Sequence, residues 1–399
     1  VLSYVNDDGQ LVEPIYYAPA IPMILVNGSK GIGTGFSTEV LQYNPLHIIA
    51  YVRAMLREAS VADRPIIEPY FKGFKGTIQN IGAPASATSG APAPTANAAS
   101  AKYLIKGTYE IIADRKVRIT ELPVGTWTDD YKVFLEKLME SPAPSSDKDK
   151  GKGDKGADKC ASSPVLKEYN DMSTDSVVDI TVTFHPSYPH TPKDLQATIV
   201  DADAGTNKLE KLLGLFTTQS TTNMNLFDAR EKLRKYATIY DIIEDYYVER
   251  LALYAKRKAA MLSQLANELR VLTNRARYIQ EVLDDNLELR RQTKDAIFAK
   301  MTAHGYEHID GDTEFKYLLK MPMDSVTDEN VRNLLSERDT KRAQHQALQD
   351  TSIQALWTRD LDELEVEYRK WASAATTESV AMGGGSAVAT KKKMVVKKS

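Results

Sequence analysis

Cysteine is nearly missing: Cys160 is the single one in 399 residues. One thiol excludes a disulfide framework and a Cys-rich zinc site, and it fits a reducing compartment. Long apolar runs are missing as well. No stretch approaches the roughly 20 residues that cross a bilayer, so no membrane partner is expected. An excess of one charge is also absent. Lys and Arg number 51 against 54 Asp and Glu, for a net charge of −3. That excludes a globally basic nucleic-acid protein, but not a local basic groove on a near-neutral chain. The start carries neither a methionine nor a signal-peptide pattern, and Val1 stands there instead. The chain is therefore read as a piece of something longer. What is present is ordinary globular composition, 42% hydrophobic and 26% charged. At roughly 100–200 residues per domain, two or three domains are expected.

The first part alternates short apolar runs with turn chemistry. Ile21–Val26 stops at Asn27-Gly28, a strong turn dipeptide. Pro45 to Leu56 reads as an amphipathic helix that starts at a proline. Phe71–Ile78 (FKGFKGTI) reads as a strand punctuated by glycine. Residues 82–101 hold no charge and no large apolar side chain, which predicts a disordered insertion. Lys102–Leu122 alternates like a strand pair, and Trp127–Met139 reads as a helix. A second low-complexity insertion, 141–163, mixes both charge signs and carries Cys160. Val177–His185 again reads as a strand, able to pair with Lys102–Leu122 in one sheet.

Beyond residue 206 the character changes. Pro322 is the only proline after Pro192, and helix formers dominate. Leu262, Leu265, Leu269, Leu272, Ala276, Ile279 and Leu283 step by three and four, a heptad seam. A second seam runs through Trp357, Leu361, Leu364, Tyr368 and Trp371. Breaks at His304-Gly305, Asp310-Gly311 and Met321-Pro322 lie between them. A long helix, a compact cap and a returning helix make an antiparallel pair, with the cap as the natural dimer contact. Residues 373–399 form a polar tail with Lys391, Lys392, Lys393, Lys397 and Lys398. Such a tail either touches nucleic acid, acts as an import signal, or is simply solvated.

Pro22–Ser37 reads PMILVNGSKGIGTGFS. Gly31-Ile32-Gly33-Thr34-Gly35 has the wrong spacing for a dinucleotide-binding G-x-G-x-x-G, and Lys30-Gly31 is not a Walker A ending. What remains is a glycine-dense loop with one lysine and one large apolar residue, Ile32. Glycines let a backbone approach another surface closely. On spacing alone two readings of Ile32 stay open: it folds back onto the core, or it serves an outside surface.

VNGSKGIGTGFST, preceded by VEPIYYAPAIPM and followed by YNP, resembles the type IIA DNA topoisomerases, specifically the eukaryotic-type topoisomerase II family. FKGFKGTI, ITELPVGTWT, FTTQSTTNMNLFD, LRKYATIYDIIEDYYVERLALYAKRK, FKYLLKMP and IQALWTRDLDEL follow in the family's order, from about Glu13 to Ala372. The resemblance implies an enzyme that breaks one duplex, passes a second through and reseals, driven by ATP. It implies that Ile32 is a wedge inserted between base pairs, which unstacks a step and kinks the duplex. Gly31, Gly33 and Thr34 would shape that DNA-binding loop. Lys30 sits where relatives often carry an acidic residue, so a phosphate contact there is not carried over. Lys72 and Lys75 fall in the part that lies along the DNA arm in relatives; the alternative for each is a solvated surface lysine.

The resemblance also says what this chain lacks. The family's nucleophilic tyrosine follows an arginine in a winged-helix module upstream of the matched region. Arg277-Tyr278 copies that pair, but within the coiled coil, so it is not the nucleophile. The Mg²⁺ site and the ATPase are likewise expected upstream, leaving no catalytic, metal or cofactor residue here. The expected fold is an α+β tower followed by an all-α antiparallel coiled coil with a small helical C-gate domain. Its division is 1–13 for the end of the winged-helix module, 14–205 for the DNA-bending tower, 206–372 for coiled coil and C-gate, and 373–399 for the tail. Expected partners are double-stranded DNA and a second copy through the C-gate. The expected compartment is the nucleus, with a mitochondrion or kinetoplast as the alternative. The competing functions are a non-catalytic DNA-bending, coiled-coil chromosome scaffold and an inactive topoisomerase relative.

Overall fold

The computed structural model describes residues 2–82, 101–140, 164–202, 204–287, 292–309, 312, 314–322 and 327–383. Most of both insertions, Cys160 and the lysines of the tail lie outside these residues. The chain divides into two compact units: Ile21–Tyr246 with the chain from Glu363 on, and the chain up to Ala20 with Tyr247–Asp362.

An antiparallel hairpin, β1 (Tyr4–Asp7) and β2 (Gln10–Pro14), opens the chain in the smaller unit. The larger unit begins with α1 (Met23–Asn27), the hairpin β3 (Ser29–Gly33) and β4 (Phe36–Val40), and α2 (Pro45–Leu56). The expected helix at Pro45 is thus present. Asn44 caps it, its side-chain oxygen accepting from the Leu46 N–H at 2.9 Å. Ile48, Ile49, Val52 and Leu56 form its buried stripe.

Next come β5 (Thr77–Asn80), β6 (Lys102–Lys106), β7 (Thr108–Ala113), β8 (Lys116–Glu121), α3 (Thr128–Glu140), β9 (Leu166–Asp171) and β10 (Ile180–Phe184). Two expectations need correction. FKGFKGTI is not one strand, because Gly73 at φ +83° turns the chain before β5. Lys102–Leu122 is not a strand pair but three strands in two sheets. At Gly107 the chain leaves β6 for β7, and a Cβ there would stand 2.3 Å from the Glu121 carbonyl oxygen. The Gly107 N–H donates to the Leu215 carbonyl, which carries the β6–β13 ladder one residue beyond the Lys106–Phe216 pair before the chain enters the other sheet. The pairing of the later strand with this region does occur, since β10 pairs antiparallel with β8. The sheet order is β7-β8-β10-β9.

The remaining elements of this unit are α4 (Pro192–Ala197), β11 (Ile199–Asp201), β12 (Thr206–Asn207), α5 (Lys208–Leu212), β13 (Phe216–Ser220), β14 (Met224–Phe227) and β15 (Leu233–Tyr236). A second sheet runs β13-β6-β5. The core of the four-stranded sheet follows from periodicity. Val117 and Ile119 on β8, and Ile180, Val182 and Phe184 on β10, alternate inward. Tyr131, Leu135 and Leu138 of α3 return at helical spacing to cover them. The Tyr131 hydroxyl donates to the Leu213 carbonyl at 2.8 Å, so its buried polar tip is satisfied.

The helices are α6 (Ile239–Leu283), α7 (Lys294–Ala303), α8 (Lys316–Leu319), α9 (Asp328–Asp350) and α10 (Ile353–Gly383). Within the smaller unit, Lys258 donates to the carbonyls of Gln349 and Thr351, and Lys341 pairs with Glu268 at 2.7 Å. Residue numbers rise along α6 as they fall along α9, so this helix pair is antiparallel, as expected. The returning arm is nevertheless two helices rather than one. Helix α9 falls in the stretch read as cap, because its sequence has too few apolar residues to show a heptad seam. The Ser352 hydroxyl accepts from the Ala355 N–H and restarts the chain as α10. Trp357 stacks on Tyr247 and Tyr254 at 5.2 and 5.4 Å. Leu272, Ala276 and Ile279 of the first seam are buried, and Leu287, Met301, Tyr306, Phe315 and Leu318 extend that core into the cap.

Candidate nucleic-acid interface

The glycine-dense segment folds as the β3–β4 hairpin. Lys30 faces Glu39, Gly31 faces Thr38, Ile32 faces Ser37 and Gly33 faces Phe36. Thr34 and Gly35 make the two-residue turn, and Gly35 supplies the positive φ it requires, +84°. Ile32 does not fold back onto the core: it is 94% exposed. Single exposed aliphatics are ordinary on a protein surface, but Ile32 stands out in degree and place: the next most exposed large apolar side chain among the described residues is Trp127 at 75%, and Ile32 sits at the end of an ordered hairpin.

The three glycines are not equivalent. A Cβ on Gly33 would sit 2.6 Å from the Phe36 ring, so glycine there is a packing requirement. A Cβ on Gly31 would meet nothing within 4 Å, so the fold makes no such demand. Lys30 and Ile32 share one strand face, two residues apart. The Lys30 ammonium lies 2.9 Å from the Glu39 carboxylate, which holds it along the hairpin.

At its base the hairpin is tied to α1: the Gln42 side chain donates to the Asn27 carbonyl and the Tyr43 N–H to that of Leu25. Along β4 it is tied to β14. The Glu39 N–H donates to the Asn223 carbonyl at 2.7 Å. The Asn223 amide donates to the Ser37 hydroxyl and the Asn225 amide to the Ser37 carbonyl, both at 2.7 Å. Phe36 meets Phe227 edge to face at 5.9 Å. In the turn after β14, the N–H groups of Lys232 and Arg230 point at the Asp228 carboxylate and lower its pKa. Arg230, Lys232 and Lys235 are exposed on this second hairpin.

The predicted site residues thus fall into two groups. Lys30, Gly31, Ile32, Gly33 and Thr34 come together on one hairpin. Lys72 and Lys75 lie in the turn before β5, with other neighbours. The Lys72 ammonium stands 3.3 Å from the centre of the Trp371 ring, a cation–π contact. Trp371, expected in the second seam, is half exposed beneath it. The Lys75 main chain bonds the Glu121 carboxylate; burial raises that carboxyl's pKa and this bond partly offsets the rise. Asn223, Asn225 and Phe227 were not singled out from the sequence. The available signal was the N-M-N alternation, which puts both asparagines on one strand face away from buried Met224.

Arg277-Tyr278 has no such openness. Tyr278 is buried edge-on to Tyr306 at 6.3 Å, and burial raises its hydroxyl pKa. Arg277 pairs with Glu281 at 3.0 Å and covers the Tyr306 ring. Among the described residues, no group of three His, Cys, Asp or Glu is placed to hold a metal ion, so no step is routed through one here. Among the same residues, no helix is long and apolar enough to cross a membrane.

A family model for the A-subunit of DNA gyrase/topoisomerase IV matches residues 1–362. The chain belongs to this family. DNA topoisomerase 2 of Pisum sativum is 31% identical over 403 residues, which cover 92% of this chain and 24% of the relative. DNA topoisomerase 2 of Plasmodium falciparum is 28% identical over 93% of this chain and 25% of its own length. The crystal structure of the Plasmodium falciparum topoisomerase II DNA-binding, cleavage and re-ligation domain superposes with a TM-score of 0.69 at 28% identity, covering 94% of this chain and 48% of that one. The topoisomerase II resemblance of the motifs therefore holds over nearly the whole chain, as does the mixed α/β and long-helix architecture. The chain spans about a quarter of the length of these curated relatives. The scaffold-protein alternative is not favoured by these matches.

Proposed function

We propose that this chain is the DNA-bending and exit-gate portion of an ATP-dependent type II topoisomerase, an isomerase that passes one duplex through a transient break in another. The observation that carries the reading is Ile32, held fully in the open on a braced hairpin. Gly31 supports it. Glycine inside a strand costs about 0.5–1 kcal/mol relative to alanine. Nothing within the fold requires that cost, whereas close approach of a duplex does. An apolar wedge that unstacks a base step is offset by the wider contact a kinked duplex makes. Because steps differ in deformability, the wedge gives weak site preference without base readout.

In this reading Lys30, Lys72 and Lys75 supply electrostatic grip, together with exposed Arg230, Lys232 and Lys235. Residues 14–205 serve as the tower and 206–372 as coiled coil and C-gate, through which two copies associate. The buried, raised-pKa Tyr278 is unsuited to attack a phosphodiester. The nucleophile, Mg²⁺ and ATP are assigned to other parts of the enzyme, and this chain alone is inactive in cleavage. The eukaryotic relatives favour the nucleus.

The test is duplex bending by the 399-residue chain, read as energy transfer between dyes at the DNA ends. The chain should bind and bend the duplex. Ile32→Ala should keep binding, which rests on phosphate contacts, and lose the bend. Equal bending by both proteins would overturn the wedge role.

A further inference from the structure

We propose that the β14–β15 hairpin is the positioning element of the wedge, acting through Asn223, Asn225 and Phe227. The inference rests on the wedge reading of Ile32 and adds what holds that residue in place.

A two-stranded hairpin is marginally stable in water on its own. This one carries Gly31, Gly33 and Gly35, each of which adds backbone freedom. A tip that wanders must be ordered when it enters the stack, and that ordering subtracts from the energy available for bending. The β3–β4 hairpin therefore needs an external brace, and its free edge shows one. On β4 the outward N–H of Glu39 is taken by the carbonyl of Asn223, the residue just before β14, and the carbonyl of Ser37 by the Asn225 amide on it. The Ser37 hydroxyl, directly across from Ile32, accepts from Asn223. The Asn225 amide also donates to the Asn223 side-chain oxygen at 2.9 Å, which fixes the direction of the Asn223 amide toward Ser37. The two asparagines and Ser37 thus orient one another.

The apolar contact works on the other face of the same strand. Phe36 covers Gly33 on one side and meets the edge of Phe227 on the other. Phe227 is 61% exposed, so it contributes little to a core. Its placement makes sense as a clamp on Phe36, the residue paired with Gly33 next to the tip. Polar and aromatic contacts together immobilise β4 at Phe36, Ser37 and Glu39, the partners of Gly33, Ile32 and Lys30. No residue of the brace need touch DNA; these are positioning residues.

Hydrogen–deuterium exchange over residues 29–40, without DNA, reads the brace directly. Asn223→Ala/Asn225→Ala should speed exchange there while leaving exchange over α3 and β8 unchanged. The same variant should bind duplex within about threefold of the parent, because phosphate contacts dominate affinity. Its DNA bending should fall toward the level of Ile32→Ala. Phe227→Leu, which keeps bulk but removes the ring edge, and Ser37→Ala, which removes only the hydroxyl acceptor, should shift both readouts in the same direction by less. Unchanged exchange over 29–40 in all three variants overturns the brace. Faster exchange with undiminished bending overturns its role in positioning the wedge. If the parent and Ile32→Ala bend DNA equally, the wedge reading itself fails and the positioning role fails with it, whatever the exchange data show about the brace.

Discussion

Ile32 and Ile279 are the same side chain in opposite situations. Ile279 sits in the seam of α6, fully buried among Leu287, Met301 and Phe315. Ile32 sits at the end of a β-hairpin, 94% exposed. The difference shows where stability and function part company. The helical arm commits its apolar residues to its own core, whereas on the proposed reading the hairpin holds one out for DNA while polar and aromatic contacts keep its strand in place. Ile279→Ala should destabilise the smaller unit by about 2–5 kcal/mol, the usual effect of emptying a packed site. Ile32→Ala should change stability by no more than about 0.5 kcal/mol. Calorimetric melting of the two variants measures both. Similar losses in the two would mean that Ile32 is part of a core after all, and would break the contrast.

The two isoleucines were not equally legible. Ile279 belongs to a stripe stepping by three and four, so burial followed from helical geometry. Helix α3 was readable for the same reason, because Tyr131, Leu135 and Leu138 repeat at that spacing. Ile32 was ambiguous, since a glycine-rich loop specifies conformational freedom but not direction. Its strand face follows from the pairing with β4, and on the proposed brace its position rests on Asn223 and Asn225, 186 and 188 residues from Ser37. Contacts that distant leave no local period to detect. The boundary at Gly107 escaped for a related reason: strand-forming residues run on from β6 into β7 across the glycine although the two strands belong to different sheets. Helix α9 escaped because it is polar over most of its surface, and its pairing with α6 is marked by Lys341 and Glu268 rather than by an apolar stripe.

A smaller effect separates Lys30 from the lysines of the arm. Lys341 is committed to Glu268 between two helices, whereas Lys30 is largely exposed and its bond to Glu39 is worth at most about 1 kcal/mol. On the proposed reading, Lys30 leaves Glu39 for a phosphate beside Ile32. Lys30→Ala should lower the slope of log affinity against log salt by about 0.9, the release of one counterion. Lys341→Ala should leave that slope alone. An unchanged slope in Lys30→Ala would assign Lys30 to the hairpin pair only, and would narrow the interface to Ile32 and the basic residues around it.

The smallest expected effect concerns charge pairs built for folding rather than for a ligand. Lys132 of α3 lies 2.8 Å from Asp171 at the end of β9. That bond, with further hydrogen bonds from Ser173, pushes the Asp171 pKa down to about 2 from 3.8. A carboxyl with a lower pKa in the folded state than in the unfolded one stabilises the fold when ionised. Its contribution is complete above the ordinary carboxylate range and is lost as pH falls through about 2. Urea midpoints of the parent chain should therefore decline as pH drops from about 4 to about 2, and Asp171→Asn should flatten part of that decline. An identical pH profile in the variant would remove Asp171 from the contacts that stabilise the larger unit. Lys132–Asp171 would then be no more structural than Lys30–Glu39, and the division between charges that hold the fold and charges left available to DNA would have to rest on position alone.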